Sequence, residues 1–270
     1  WDALLRAGAA LRLPAGYSAT LLIDTNDYLC GYPLLEVAAG AAARVRWQWA
    51  EALYETENTT GPKGARDAIA GKWFYGFGDE WVLDGRRRWL SAPWWRSGRF
   101  WRMDVRVGGT PLVLRNLAVE QTGYPLAITG SFSSDDATLA PVQRMAERGL
   151  RACMHEVYVD CPYYEQLMYV ADTRVQMLIN HAVSGDDRLA RRGMELFDWS
   201  RGVNGFPRMH YPASDRQESA TFAMIWPWML HDYAQWRDDP AWLQQRLPGL
   251  RALMEGLVVE TDDAGLLRCP

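Results

Sequence analysis

The 270 residues, 49% hydrophobic and 12% aromatic, suffice to bury a sizeable core in one large or two ordinary domains. The 29 basic and 33 acidic residues are dispersed along the chain for a formal net charge of −4, without the basic stripe that a nucleic-acid partner or an anionic membrane would require. No apolar run approaches the roughly eighteen residues needed to cross a bilayer, so the expectation is a protein without membrane spans.

From the N-terminus to about residue 132, polar and apolar residues alternate in short runs. Val45, Trp47 and Trp49 interleave with Arg44, Arg46 and Gln48; Trp101, Met103, Val105 and Val107 interleave with Arg102, Asp104 and Arg106. A period of two is the mark of a half-buried strand. Turn-forming pieces separate these runs, among them Gly61-Pro62-Lys63-Gly64, Asp84-Gly85 and Gly108-Gly109, at spacings that suit an antiparallel sandwich. Residues 1–132 therefore read as an all-β domain.

After Ser133-Ser134-Asp135 the apolar spacing lengthens, and helices are expected over about 137–152, 164–183, 186–200, 219–237 and 240–260. Asp186-Asp187, Ser219 and Asp239-Pro240 stand where helices start, and Gly185 and Gly202 where they stop. Residues 133–270 read as a helical domain. Four cysteines, Cys30, Cys153, Cys161 and Cys269, have neither CxxC spacing nor a neighbouring His, and are expected as free thiols; the histidines lack metal-ligand spacing, so no metal and no cofactor is called for. The chain starts at Trp1 rather than at a methionine and is expected to be a piece of a longer protein. Its localisation stays open, with a soluble, cytoplasmic setting slightly favoured, and its oligomeric state is unspecified.

The stretch DCPYYEQLMYVADTR, Asp160 to Arg174, puts three carboxylates among apolar and aromatic residues. Asp160-Cys161-Pro162 suits the start of a helix, with the carboxylate accepting free amides. If the helix has begun by Glu165, then Glu165, Tyr169, Asp172 and Gln176 lie on one stripe, while Leu167, Met168, Val170, Val175 and Leu178 occupy the other faces. Such a stripe faces a pocket. Neighbouring carboxylates suit general acid–base work, because environment can drive their pKa values apart; the plain alternative is ion pairing with Arg174 or another arginine. Tyr163, Tyr164 and Tyr169 offer flat faces and hydroxyls of the kind a sugar site uses. His155 either orients Asp160 or is satisfied by backbone groups, the commoner case. Arg208, His210 and Tyr211 fall in a loop where substrate contacts form. Trp226 and Trp228 are expected in the core.

HEVYVDCPYYEQLMYVADTRVQ resembles the catalytic-domain signature of the bacterial α-L-rhamnosidases of glycoside hydrolase family 78: an Asp-Cys-Pro, a nearby Glu, and an aromatic-x-Gly-Asp. GYPLLEV, KGARDAIAGKW and PWWRSGRFWRM are similar to the family's β-sandwich region, and SGDDRLARRGMELFDWSR to its early barrel helices. The resemblance implies a β-sandwich followed by the first part of an (α/α)6 six-hairpin barrel, inverting hydrolysis of terminal α-L-rhamnosides, and a carbohydrate substrate. It implies Glu165 as general acid, Asp160 and Asp172 as ligands of the rhamnose hydroxyls, Tyr169 and Tyr164 at the sugar, and a general base outside this chain. Ala171 stands where a Gly usually precedes the second Asp, which puts the sugar's identity in question. The rival readings are a non-catalytic carbohydrate-binding paralogue and a six-hairpin glycosidase of other specificity.

Overall fold

The computed structural model describes residues 1–7 and 9–267, which form two compact units, Trp1–Thr122 and Gly123–Pro270. The first contains a short helix α1 (Asp2–Ala7) and the strands β1 (Leu11–Leu13), β2 (Ser18–Ala39), β3 (Arg44–Ala50), β4 (Phe77–Val82), β5 (Arg88–Leu90), β6 (Arg96–Arg106) and β7 (Leu112–Gln121). All pair antiparallel, in the order β1-β7-β2-β6-β3-β4, with β5 also on β2.

The long strand β2 belongs to two layers. Ser18–Asp24 and Leu29–Gly31 pair with β6, and Gly31–Ala39 pairs with β7. Within the β6 pairing the register shifts between Asp24 and Leu29, and Asn26 takes φ 57°, the irregularity that lets one strand change direction. Leu35, Val37, Leu112 and Leu114 thus pack in one core with Val45, Trp47, Trp49, Met103 and Val105. The alternation expected at β3 and β6 holds except at Gln48: Val45, Trp47, Trp49, Met103 and Val105 are buried and Arg44, Arg46 and Arg106 are exposed, but Gln48 is buried too, its side-chain amide donating to the Gly76 carbonyl at 2.8 Å. Trp101 packs edge-on against Trp47, centroids 5.4 Å apart, a favoured arrangement of the ring quadrupoles.

In the second unit the helices are α2 (Leu139–Ala152), α3 (Val170–Val183), α4 (Arg188–Trp199), α5 (Ala220–Ala223), α6 (Ile225–Trp236), α7 (Pro240–Gln244) and α8 (Leu247–Val259). Their common core includes Met168, Met177, Met194, Phe197, Phe206, Trp226, Tyr233 and Leu253. Trp226 is fully buried, as expected, and its indole N–H donates to the Met194 carbonyl at 3.0 Å. Trp228 departs from expectation: it is 55% exposed, with the Arg174 guanidinium over its ring. Asp239 caps α7 by accepting the Trp242 amide at 3.0 Å, with Pro240 in the first turn.

The units divide at 122/123, ahead of the expected boundary at 132/133. Residues 123–132 carry no helical signal, yet they are bound to the helical unit. The Tyr124 amide donates to Met154, the Thr129 and Gly130 amides donate to Val183, and Leu126 is buried in the helical core. The expected helices over 219–237 and 240–260 are each split in two. Among the described residues, no helix is long and apolar enough to cross a membrane. Cys30, Cys153 and Cys161 are free thiols; the expectation for Cys269 lies outside the described residues.

Two glycines of the helical unit should respond oppositely to a methyl group. Gly205 has φ 82°, and a Cβ there would meet the Ala252 carbonyl on α8; Gly205→Ala should lower stability by about 2 kcal/mol or more, from left-handed strain plus overpacking. Gly149 lies within α2 with open space around it, so Gly149→Ala should raise stability by about 0.5–1 kcal/mol. Urea denaturation followed by helical circular dichroism measures both.

Candidate active site

Residues 160–169 form a closed loop ahead of α3, not the start of the helix. The Asp160 amide donates to the Leu167 carbonyl at 2.8 Å, and the Leu167 amide donates to the Asp160 carboxylate at 3.0 Å. Between them Pro162–Glu165 turn, and Gln166 sits at φ 56° with its side-chain amide on the Pro162 carbonyl at 2.9 Å. A left-handed residue cannot continue an α-helix. Tyr169, in extended conformation, precedes the first helical residue, Val170.

The expected single helical stripe is therefore corrected. Glu165 stands on the turn, Tyr169 at the helix start, Asp172 in the first turn and Gln176 within the helix, its amide donating to the Val159 carbonyl at 2.8 Å. Asp160 does not cap a helix; its carboxylate closes the loop.

Two of the expected residues nevertheless bond directly, and Asp160 and Asp172 interact with them electrostatically. The Tyr169 hydroxyl donates to Glu165 Oε2 at 2.6 Å, and this bond, then partial burial, raises the phenol to about 12. Partial desolvation raises the Asp172 carboxyl above the ordinary value of 3.8 although the residue as a whole is exposed, and the negative charges of Asp160 and Glu165 add to that rise. Cys153 and Cys161 flank the group, both raised to about 11, chiefly by burial and further by Asp160; such thiols stay protonated and unreactive at neutral pH. Glu165 and Asp172 are exposed, so the carboxylates line an open surface rather than the expected pocket. A cleft of about 410 Å3 in this unit lies elsewhere, between residues 201–205 and α8. Tyr164 is 43% exposed, its ring edge-on to Tyr163 at 4.7 Å.

Arg174 is not the ion-pair partner of this group. Arg174 is taken by Asp232, with Nε–Oδ2 2.7 Å, on α6. His155 is buried with Nε2 3.1 Å from the Ala152 carbonyl, the backbone-satisfied case. The loop of residues 208–218 lies directly beside the site. Val170 donates to Met209 and Tyr211 to Met168, which lays His210 against the Tyr169 ring, centroids 4.9 Å apart. Its Nε2 is 3.5 Å from Asp215. His210 was visible in the sequence as a candidate substrate contact in a loop; its burial against Tyr169 comes from a bridge between residues 41 positions apart, which no local pattern announces. Among the described residues, no cluster of His, Cys, Asp or Glu could hold a metal ion.

Raised Asp172 has a consequence for stability. A carboxyl whose folded pKa lies above its unfolded value stabilises the fold below the unfolded value, and this contribution is lost as pH rises through the folded one. Asp172→Asn should therefore gain in Tm relative to the parent as pH rises through and just above 3.8, with the difference flat at neutral pH. Thermal melts across that range measure it; a difference independent of pH would mean that Asp172 is not raised.

The model of the family described as the bacterial alpha-L-rhamnosidase 6 hairpin glycosidase domain matches residues 127–268, more than half of the chain. Among solved structures, the family 78 rhamnosidase of Bacillus sp. GL1 superposes with a TM-score of 0.74 at 23% identity, over 93% of this chain and 25% of that one. The Klebsiella oxytoca rhamnosidase with rhamnose bound gives 0.72 at 21% identity, over 96% and 52%. The Streptomyces avermitilis α-L-rhamnosidase complexed with L-rhamnose gives 0.60 at 18%, over 93% and 24%. The chain thus spans about a quarter to a half of these relatives' length. No curated protein matches it. With the β-sandwich preceding the helical hairpins and the motif loop at the head of α3, the chain belongs to the bacterial α-L-rhamnosidase six-hairpin glycosidase family.

Proposed function

We propose that this chain carries the β-sandwich and the acid side of the active site of a glycosidase that removes terminal α-L-rhamnose by inversion. The observation that supports the reading most directly is the Tyr169–Glu165 hydrogen bond of 2.6 Å beside Asp160 and Asp172. In this reading Glu165, on an exposed turn and oriented by Tyr169, protonates the departing glycosidic oxygen. Asp172, in the first turn of α3, accepts hydrogen bonds from the sugar hydroxyls and stabilises the positive charge that develops on the ring. Asp160 holds the loop through Leu167 and adds negative charge on the same side. Tyr169 gives one face of its ring to the sugar, and Tyr164, exposed beside Tyr163, extends the aromatic surface.

Inversion needs a second carboxyl roughly 6.5–9.5 Å from the acid, with room for a water. None of the residues above is assigned that role, which falls to a carboxylate of the six-hairpin domain beyond those described here. The rhamnose-bound relatives support the choice of sugar, and the alanine at 171 is the feature that a different sugar would exploit.

Leaving-group dependence tests the acid. In a chain that carries these residues with the whole six-hairpin domain, Glu165→Gln should lower kcat/KM on rhamnosyl disaccharides by about 10²–10⁴, and much less on a nitrophenyl rhamnoside, whose phenolate departs unaided. Asp172→Asn should depress both substrates alike, since charge stabilisation is needed whatever leaves. Equal losses on both substrates for Glu165→Gln would remove it from the acid role.

A further inference from the structure

The loop of residues 208–218 reaches Glu165 through one ring. Glu165 is exposed on its turn, and among the described residues its carboxylate has a single hydrogen-bond partner, the Tyr169 phenol at 2.6 Å. A glutamate side chain has several rotatable bonds, so one partner directs it only if that partner is itself fixed. Tyr169 stands just ahead of α3, and two rings from further along the chain hold its own: His210 lies edge-on with centroids 4.9 Å apart, and Phe222 with centroids 6.3 Å apart. His210 is the better anchored of the two. It is 1% exposed, and the backbone on either side of it is bonded to the residues flanking the tyrosine: the Val170 amide donates to Met209 at 3.0 Å, and the Tyr211 amide donates to Met168 at 3.1 Å. Phe222 is only partly buried, on the four-residue helix α5.

The imidazole does more than fill space. An apolar ring would occupy the same position without leaving a polar atom unpaired, whereas the histidine keeps Nδ1 buried with no hydrogen-bond partner among the described residues, which is unfavourable. What the imidazole adds is its other nitrogen: Nε2 lies 3.5 Å from the exposed Asp215 carboxylate, a contact that an apolar ring cannot make. The charge of Asp215 is felt at the phenol as well, where it adds to the rise that the Glu165 bond and partial burial chiefly cause. We infer that His210 is a positioning residue for the acid: held at Nε2 by Asp215, its ring keeps the Tyr169 phenol where it can direct Glu165. Asp215, His210, Tyr169 and Glu165 thus form one line of contacts from the loop of residues 208–218 to the motif loop. The placement rests on these contacts alone; its effect on hydrolysis rests on the acid role proposed above for Glu165.

Two readouts separate placement from catalysis, both in a chain that carries these residues with the whole six-hairpin domain. The first is crystallographic. His210→Ala should lengthen the Tyr169 Oη–Glu165 Oε2 separation past about 3.5 Å, beyond hydrogen-bond range, while His210→Phe, which keeps a ring, should retain the bond. The second is kinetic. His210→Ala should lower kcat/KM on rhamnosyl disaccharides by up to about 10²-fold, the scale of a misplacement of about 1 Å, and much less on a nitrophenyl rhamnoside; a residue that only supports the fold would depress both alike. Asp215→Asn, at an exposed side chain, and His210→Phe should show the same split at about fivefold or less, the scale of an exposed charge pair. In a Tyr169→Phe background, His210→Ala should bring no further loss on the disaccharide, because the phenol through which it acts is gone. A bond that survives in His210→Ala, losses that add to those of Tyr169→Phe, or equal losses on the two substrates in an enzyme whose Glu165→Gln variant shows the split would each overturn the proposal. If Glu165→Gln itself shows equal losses, the acid role fails, and the crystallographic distance still decides the positioning. Should His210→Ala not fold, the absence of the split in both Asp215→Asn and His210→Phe overturns it.

Discussion

The geometry of the candidate site depends on one reciprocal pair of hydrogen bonds. Asp160 gives its amide to the Leu167 carbonyl and receives the Leu167 amide on its carboxylate. A carboxylate that accepts a backbone amide makes a stronger bond than a neutral acceptor would, and here it closes the eight residues from Asp160 to Leu167 into a loop whose tip bears Glu165. The return strand of the loop runs directly into Tyr169 and α3. The separation of Tyr169 from Glu165, and hence the 2.6 Å bond between them, follows from the closure. A single acid thus positions the loop and contributes charge to the site.

The other end of α3 is built for rigidity. Arg188 bonds hold Asp186 well below the ordinary range against its burial, with help from the Tyr124 hydroxyl. Asp187 is half-buried, yet bonds from Tyr233 and Arg191 keep it low, and Arg191 reaches on to Asp239 at the head of α7. His181, in the last turn of α3, is buried and pushed down to about 4, first by burial and then by the Arg237 charge, so it is a neutral ring stacked on Trp236 at neutral pH. Charges satisfied among α3, α4, α6 and α7 fix the helix at whose opposite end Asp172 stands.

Much of this architecture was legible in the residues. Alternation marked β3 and β6 because each has one wet and one dry face, and the change of period marked the helical half. Asp160, Glu165 and Asp172 were legible as a group through a motif, not through geometry: the helical stripe that first joined them does not exist. Gln166 is the reason. Nothing in a glutamine announces a left-handed backbone, and the apolar run from Leu167 through Ile179 continues the helical period across the loop. Tyr169 and Glu165 meet all the same, because a tight turn and a helical turn both bring residues four apart together. Trp228 was misplaced for a related reason: burial of an indole depends on which side of α6 the neighbouring helices cover, which composition does not encode. Residues 123–132 were assigned to the wrong half because they are bound to the helices by backbone amides, and backbone bonds leave no trace in side-chain pattern.

The sharing of β2 between both layers has a consequence for how the sandwich comes apart. Its early residues bond to β6 and its later residues to β7 and β5, so neither layer has a complete set of backbone partners without it. Removing that strand would strip hydrogen bonds from both layers at once and open the tryptophan core to water. A sheet divided cleanly in two could lose one leaf while the other persisted; here partial opening is penalised in both, and the sandwich forms and breaks as one cooperative unit. Ser18 meets Arg106 and Gly31 meets Gln121, so the chain must close loops of nearly its full length in this unit before the first layer is complete. Assembly of the β unit is accordingly limited by topology, in the slow regime of all-β sandwiches, whereas the helices of the second unit close mostly local contacts.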